Sequence, residues 1–191
     1  MARVLAPKRL AKLQRRSTAT VGDHGVFRVD RASYDGLPRD VFVFNVPDWC
    51  NVVAETESGE IVMIWQHRFG TDELSLEIPG GVIDPGEEPL AAARRELREE
   101  TGYEADSFEL LSVVEPNPAL QNNKCWSYLA RNARLVGSTS FDDLEDLELV
   151  LLSKDRIAEV LDDGTVTHAL VVVALEQYLR RCADHFGRSA K

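Results

Sequence analysis

The sequence predicts an α/β chain folded as an α/β/α layered sandwich. Three observations carry that expectation. Short apolar stretches bounded by turn residues recur along the chain, as in NVVAET, IVMIWQHR and CWSYLAR. A helical pattern, EEPLAAARRELREET, stands among them rather than after them. Two further helical stretches close the chain, KDRIAEVLDD and the apolar run that follows Thr167. Strands surrounding helices in this mixed order put helices on both faces of a sheet.

The elements follow in order. MARVLAPKRLAKLQRRSTAT is basic and lacks a long apolar run, so residues 1–20 are expected to form a solvated or loosely helical arm. VFRVD and DVFVFNV read as strands, separated by the turn-rich SYDGLPRD. In the second strand Val41, Val43 and Asn45 share one face and Phe42, Phe44 and Val46 the other. Both faces are largely apolar, so both are expected to be covered. NVVAET, a turn at Ser58-Gly59 and IVMIWQHR read as a hairpin, and ELSLEIP as a strand running into Gly80-Gly81. A helix is expected from about Glu87 to Thr101, with Leu90, Ala93 and Leu97 as its buried stripe and Gly102 as a left-handed cap. FELLSVVE, CWSYLAR and LELVLLS are further strands. Ser153 caps a short helix stopped at Gly164, and the last helix runs from about Thr167 to Phe186.

Composition excludes some functions. With 44% hydrophobic and 28% charged residues the chain has material for a core. A net charge of −10 argues against nonspecific nucleic-acid binding, which needs a basic face. It does not exclude an anionic small molecule, because divalent cations bridge carboxylates to phosphates. No stretch approaches the ~20 apolar residues of a membrane-spanning helix, and the N-terminus does not read as a secretory signal. Cys50, Cys125 and Cys182 are far apart and form no CxxC, which fits reduced cysteines in the cytoplasm.

The densest feature is acidic. Glu96 and Glu100 lie one turn apart on one helix face, with Glu99 at its margin. Like charges at this spacing repel. Clustered hard oxygens suit Mg²⁺, or Mn²⁺, which would relieve that repulsion. On spacing alone, a solvated face laced with Arg94, Arg95 and Arg98 is the simpler explanation of the cluster.

The wider spacing narrows the choice. From Gly81 the chain reads Gly, five residues, Glu87, seven residues, Arg95-Glu96-Leu97, one residue, Glu99-Glu100, one residue, Gly102 and Tyr103. This resembles the signature box of the Nudix hydrolases at every defined position, with the aromatic Tyr103 a mild variation. The resemblance implies a loop–helix–loop on a mixed sheet that binds divalent metal and hydrolyses a nucleoside diphosphate linked to another group. It implies Glu96, Glu99, Glu100 and the Gly80 carbonyl as metal ligands. Arg95 would orient the carboxylates, Glu87 would pin loop to helix, and Gly81 would permit a backbone turn.

Segments outside the box, including SLEIPGGVID, the loop at Asn117-Pro118 and LDDGTVTHALVVVALEQYL, resemble the branch that cleaves ADP-ribose and other nucleoside diphosphate sugars. That branch implies a small N-terminal antiparallel sheet, residues 21–47, that forms a homodimer, followed by a catalytic domain over residues 48–191. A homodimer would explain the two apolar faces of DVFVFNV; burial within one chain is the alternative. Arg68 matches a position that contacts substrate phosphates, against a plain surface arginine, and Trp49 one that stacks on the nucleobase, against a core residue. Asn117 and Pro118 are implied in substrate binding, and Asn122 and Asn123 are candidates for the sugar pocket. The general base is expected from SFDDLEDLELV, with Glu145 first and Glu148 second. Two alternatives stand beside this reading. One is a Nudix hydrolase of dinucleoside polyphosphates or nucleoside triphosphates. The other is a sensor that binds ADP-ribose-like ligands without turnover, against which the presence of Glu87, Glu96, Glu99 and Glu100 weighs.

Overall fold

A computed structural model describes residues 10–139 and 146–188. The chain divides into two units, residues 1–46 with 117–122, and residues 47–116 with 123–191.

The first unit carries a three-stranded antiparallel sheet, β1 (Arg15–Asp23), β2 (Arg28–Tyr34) and β3 (Val41–Asn45). β1 corrects the expected arm: from Arg15 the chain is strand. Its polar residues pair across the sheet, with Ser17 and Ser33 hydroxyls 2.7 Å apart and Thr20 Oγ1 donating to Asp30 Oδ1 at 2.9 Å. Such cross-strand pairs replace the apolar pattern that marks most strands. The segment 117–122 adds to the β3 edge, where Phe44 N donates to Leu120 O at 2.8 Å and Asn122 Nδ2 to Asn45 Oδ1 at 2.7 Å. Phe42 remains 52% exposed, so the described residues do not supply the expected cover over both faces of β3.

The second unit carries an eight-stranded mixed sheet. Its strands are β4 (Trp49–Thr56), β5 (Glu60–Arg68), β6 (Glu73–Glu77), β7 (Gly80–Val82), β8 (Tyr103–Glu104), β9 (Ser107–Val114), β10 (Cys125–Leu135) and β11 (Leu147–Ser153). The order is β11-β5-β4-β10-β8, with β6 paired to β5, β7 to β4 and β9 to β10. Among the described strands of this sheet, only β4 and β10 run parallel. The helices are α1 (Pro89–Thr101), α2 (Lys154–Asp162) and α3 (Ala169–Arg188). Among the described residues none is long and apolar enough to cross a membrane.

The central strands are buried on both faces, and the side each residue takes fixes the layers. Val53, Ile61 and Met63 join Ile157 of α2 and Val171, Leu175 and Tyr178 of α3 in one cluster. Val52, Ala54 and Val62 join Ala92, Ala93 and Leu97 of α1 in another. Successive side chains of one strand thus feed opposite cores, as the strand period of two requires.

α1 departs from its expected stripe. Leu90 is 38% exposed, while Ala92, Ala93, Glu96, Leu97, Glu100 and Thr101 are buried. The helix therefore turns two of its carboxylates inward. It starts at Pro89, later than expected, because Glu87 belongs to the preceding turn. There Glu87 N donates to Asp84 O at 2.9 Å, around Pro85 and a left-handed Gly86. Gly102 ends the helix at φ 72, its N–H donating to Arg98 O at 2.8 Å.

Candidate active site

Arg95 is the hub of the acidic cluster. Its Nε and Nη2 fork onto Glu87 at 3.1 and 2.9 Å. Nη1 donates to Glu96 Oε1 at 2.8 Å and Glu99 Oε2 at 3.1 Å, and Nη2 also reaches Val82 O at 3.0 Å. One guanidinium thus ties the helix to the loop before it and partly neutralises three carboxylates. Its hydrogen bonds to Glu87 are the largest cause of a raised Arg95 pKa, and the same bonds lower that of Glu87.

Glu96 and Glu100 are 9% and 4% exposed, and Glu99 sits at the rim. Glu100 Oε2 accepts from Gly80 N at 2.7 Å. The two glycines of β7 are space requirements. A Cβ on Gly80 would fall 2.2 Å from Cys50 O, so β7 lies against β4 more closely than a side chain permits. A Cβ on Gly81 would fall 2.3 Å from Glu96 Oε1. Gly81 has no positive φ, which corrects the expected backbone-turn role: it makes room for the Glu96 carboxylate.

These residues enclose a cavity of about 420 Å³. Trp49, Gln66, Arg68 and Asp84 line it together with the acidic cluster, Arg95, Gly80 and Gly81. Arg68 lies with its guanidinium carbon 5.7 Å from the centroid of the Trp49 ring. It also forks onto Glu77, Nε to Oε1 and Nη2 to Oε2, each at 2.8 Å. Burial is the largest influence on Glu77 and would raise its pKa, but bonds from Arg68 and His168 overcome it and hold the carboxyl down at about 2. Gln66 shares the Arg68 side of β5, and its buried Nε2 has no hydrogen-bond partner among the described residues.

Of the residues expected in the site, Trp49, Arg68, Gly80, Gly81, Arg95, Glu96, Glu99 and Glu100 meet around this cavity. Asn117 and Pro118 fall in the first unit, whereas every lining residue comes from the second. Glu145 lies outside the described residues. Glu148 is exposed in β11 opposite Trp65, on the side that faces the α2–α3 cluster and away from Gln66 and Arg68. Asn123 donates to Pro47 O at 3.1 Å and does not line the cavity. Gln66, Asp84, Glu77 and His168 were not anticipated. A polar residue on the core-facing side of β5 was the available signal for Gln66; Glu77 shares its side of β6 with Glu73 and Ser75, so alternation gave no signal for it.

The donor set fits a divalent cation. Two buried carboxylates and one at the rim, all hard oxygens, face a cavity whose lining also holds Gln66, Arg68 and Asp84. Among the described residues no three His, Cys, Asp or Glu side chains are already drawn into a closed ligand shell. Glu96 and Glu99 are instead turned onto Arg95 and Glu100 onto Gly80 N. Cys50 and Cys125 are no alternative: burial pushes both thiols up to about 12.

Comparison with known proteins agrees with this geometry. The model of the NUDIX domain matches residues 47–170. The methanol dehydrogenase activator of Bacillus methanolicus is 31% identical over 130 residues, covering 68% of this chain and 70% of the relative. The ADP-ribose pyrophosphatase of Bacillus subtilis is 29% identical over 130 residues, with the same coverage of 68% and 70%. A crystal structure of an ADP compounds hydrolase superposes with a TM-score of 0.82 at 26% identity, covering 95% of this chain and 100% of that one.

Proposed function

This chain belongs to the NUDIX domain family, and from that premise we propose that it hydrolyses the pyrophosphate bond of nucleoside diphosphate sugars. ADP-ribose would yield AMP and ribose 5-phosphate. One observation carries the reading: an arginine-clamped carboxylate cluster and a forked Arg68 line the same cavity. A carboxylate wall repels a diphosphate unless a cation stands between them. Nudix hydrolases generally use divalent cations, and here Mg²⁺ is the proposed ion. Glu96, Glu99, Glu100 and the Gly80 carbonyl would hold it. When bound it supplies charge neutralisation at the phosphate oxygens and a more acidic water.

The chain's own residues do the rest. Arg95 keeps the carboxylates aimed at the cavity. Arg68 binds the diphosphate, a role that suits a planar guanidinium already oriented by Glu77. Trp49 offers an aromatic wall for the base. Glu145 accepts the proton of the attacking water; Glu148 is the weaker choice, given its strand position. The exposed Phe42 supports a homodimer through the small sheet. Three free cysteines, with Cys50 and Cys125 buried, support a reducing, cytoplasmic setting.

The test is phosphate release, coupled to a phosphatase, from ADP-ribose, GDP-mannose, UDP-glucose, a dinucleoside polyphosphate and dGTP with Mg²⁺. Glu100→Gln runs alongside, because glutamine can still accept the Gly80 N–H while losing the charge. Turnover of a diphosphate sugar that the variant loses is expected. Turnover of dGTP or the polyphosphate alone would overturn the substrate class, and tight binding without turnover would overturn the enzyme.

A further inference from the structure

Arg68 is held by more than its own hairpin. Glu77 stands at the end of β6 and is 1% exposed. A carboxylate so deprived of water survives ionised only if its oxygens are filled. Arg68 fills one position on each oxygen. A third donor, Nδ1 of His168, lies 2.6 Å from Oε2. His168 arrives from far along the chain, immediately before α3, where its carbonyl accepts from Val172 N at 3.0 Å. Its backbone starts a helix while its side chain reaches Glu77 of β6, the partner of the cavity arginine in β5.

We propose that His168 is a positioning residue for Arg68, acting through Glu77. The inference rests on the reading of Arg68 as the phosphate-binding cation. Its physical basis is the number of independent anchors. β5 and β6 are adjacent antiparallel strands, so the Arg68–Glu77 fork is a contact within one hairpin. Alone it leaves the two side chains able to swing together about their torsions. The imidazole reaches the same carboxylate from a different layer and fixes Oε2 from outside that hairpin. With Oε2 fixed, the fork geometry fixes the guanidinium plane. An acceptor-only carboxylate also selects the imidazole tautomer with its proton on Nδ1. His168 therefore acts as an oriented donor, and the start of α3 becomes part of the substrate-binding apparatus without touching substrate.

Three substitutions separate this from a plain structural role. In His168→Asn the amide nitrogen takes roughly the place of Nδ1; in His168→Gln the amide lies further out, and in His168→Ala there is no donor. Two readouts are made on the full chain. The first is the Arg68 Nε–H signal in ¹⁵N spectra, assigned with Arg68→Lys, and its protection from exchange. The second is KM and kcat for the diphosphate sugar the wild type cleaves best. His168→Ala and His168→Gln are expected to lose that protection. They should raise KM roughly tenfold, the scale on which an orienting partner acts, with kcat within about twofold. His168→Asn should retain both properties. The proposal is overturned if the Arg68 signal and KM are unchanged in His168→Ala, or if Asn and Ala are equally impaired. If the wild type cleaves no diphosphate sugar while the Arg68 signal still depends on His168, the positioning link stands and the functional reading fails.

Discussion

Gly81→Ala is the most direct probe of the acidic cluster. Gly81 has no positive φ, so alanine meets no backbone strain there. Its Cβ would, however, fall 2.3 Å from Glu96 Oε1 and 2.7 Å from Oε2. Real Cβ contacts essentially never fall below 3.0 Å, so Oε1 must retreat by about 0.7 Å. The same oxygen lies 2.8 Å from Arg95 Nη1. A retreat along that bond stretches it to roughly 3.5 Å, beyond the range of an N–H···O bond. Misplacing a proposed ligand by this much should raise the Mg²⁺ concentration for half-maximal activity by about 10–100-fold. Stability should fall by less than about 1 kcal/mol, because only the end of a side chain has to move. Gly80→Ala is the contrast. Its Cβ would lie 2.2 Å from Cys50 O and 2.8 Å from Asn51 Cα, both backbone atoms. That conflict separates β7 from β4 and should cost about 1–3 kcal/mol. Metal titrations of hydrolysis and thermal melts of both variants give the comparison. An unchanged metal requirement in Gly81→Ala, with a melt as damaged as that of Gly80→Ala, would refute the reasoning.

Acid should expose the Glu77 anchor. Its carboxyl titrates near 2 in the folded chain against 4.5 for the free group, so the linked stability is complete above about 4.5 and lost as pH falls towards 2. The shift corresponds to about 3 kcal/mol, and urea melts between pH 5 and 2 should show a much smaller loss in Glu77→Gln. Glu145→Gln should lower kcat by about 10²–10⁴-fold, the span of general-base catalysis, with Glu148→Gln near wild type; the reverse ranking in steady-state assays would move the base into β11. Phe42→Asp should shift a dimer to monomer in sedimentation, and a wild type that sediments as a monomer would remove the proposed interface.

Much of the site is legible in the sequence because helix geometry is local. Residues 95, 96, 99 and 100 occupy fixed angles once α1 forms, so their convergence follows from spacing. Gly102 is equally readable, since a left-handed cap depends on its own φ. Contacts between layers are not readable this way. Glu77 and His168 meet only because β6 and the start of α3 lie in adjacent layers, and no local period announces it. Leu90 looks like a core residue by periodicity, but the helix is rotated to bring its acidic edge against β7. β1 escapes detection because RRSTATVGD is stabilised by hydrogen bonds across the sheet and not by an apolar face. Gly81 is read as a special residue for the wrong physical reason: what matters is the volume above its Cα, which only tertiary packing reveals.

The parallel ladder between β4 and β10 has a consequence during synthesis. Trp49 is paired with Cys125, so β4 leaves the ribosome well before the strand that completes it. The β4–β5 hairpin, β7 and α1 can assemble by short-range contacts in the meantime. Until residue 125 and beyond emerge, one edge of β4 presents unpaired amides and carbonyls beside Val52 and Val53. A chain stalled or truncated in that interval carries the complete carboxylate cluster on an open sheet, and an open apolar edge is the feature that recruits chaperones or seeds aggregation. Closure of the ladder, more than formation of the acidic helix, removes that exposed edge.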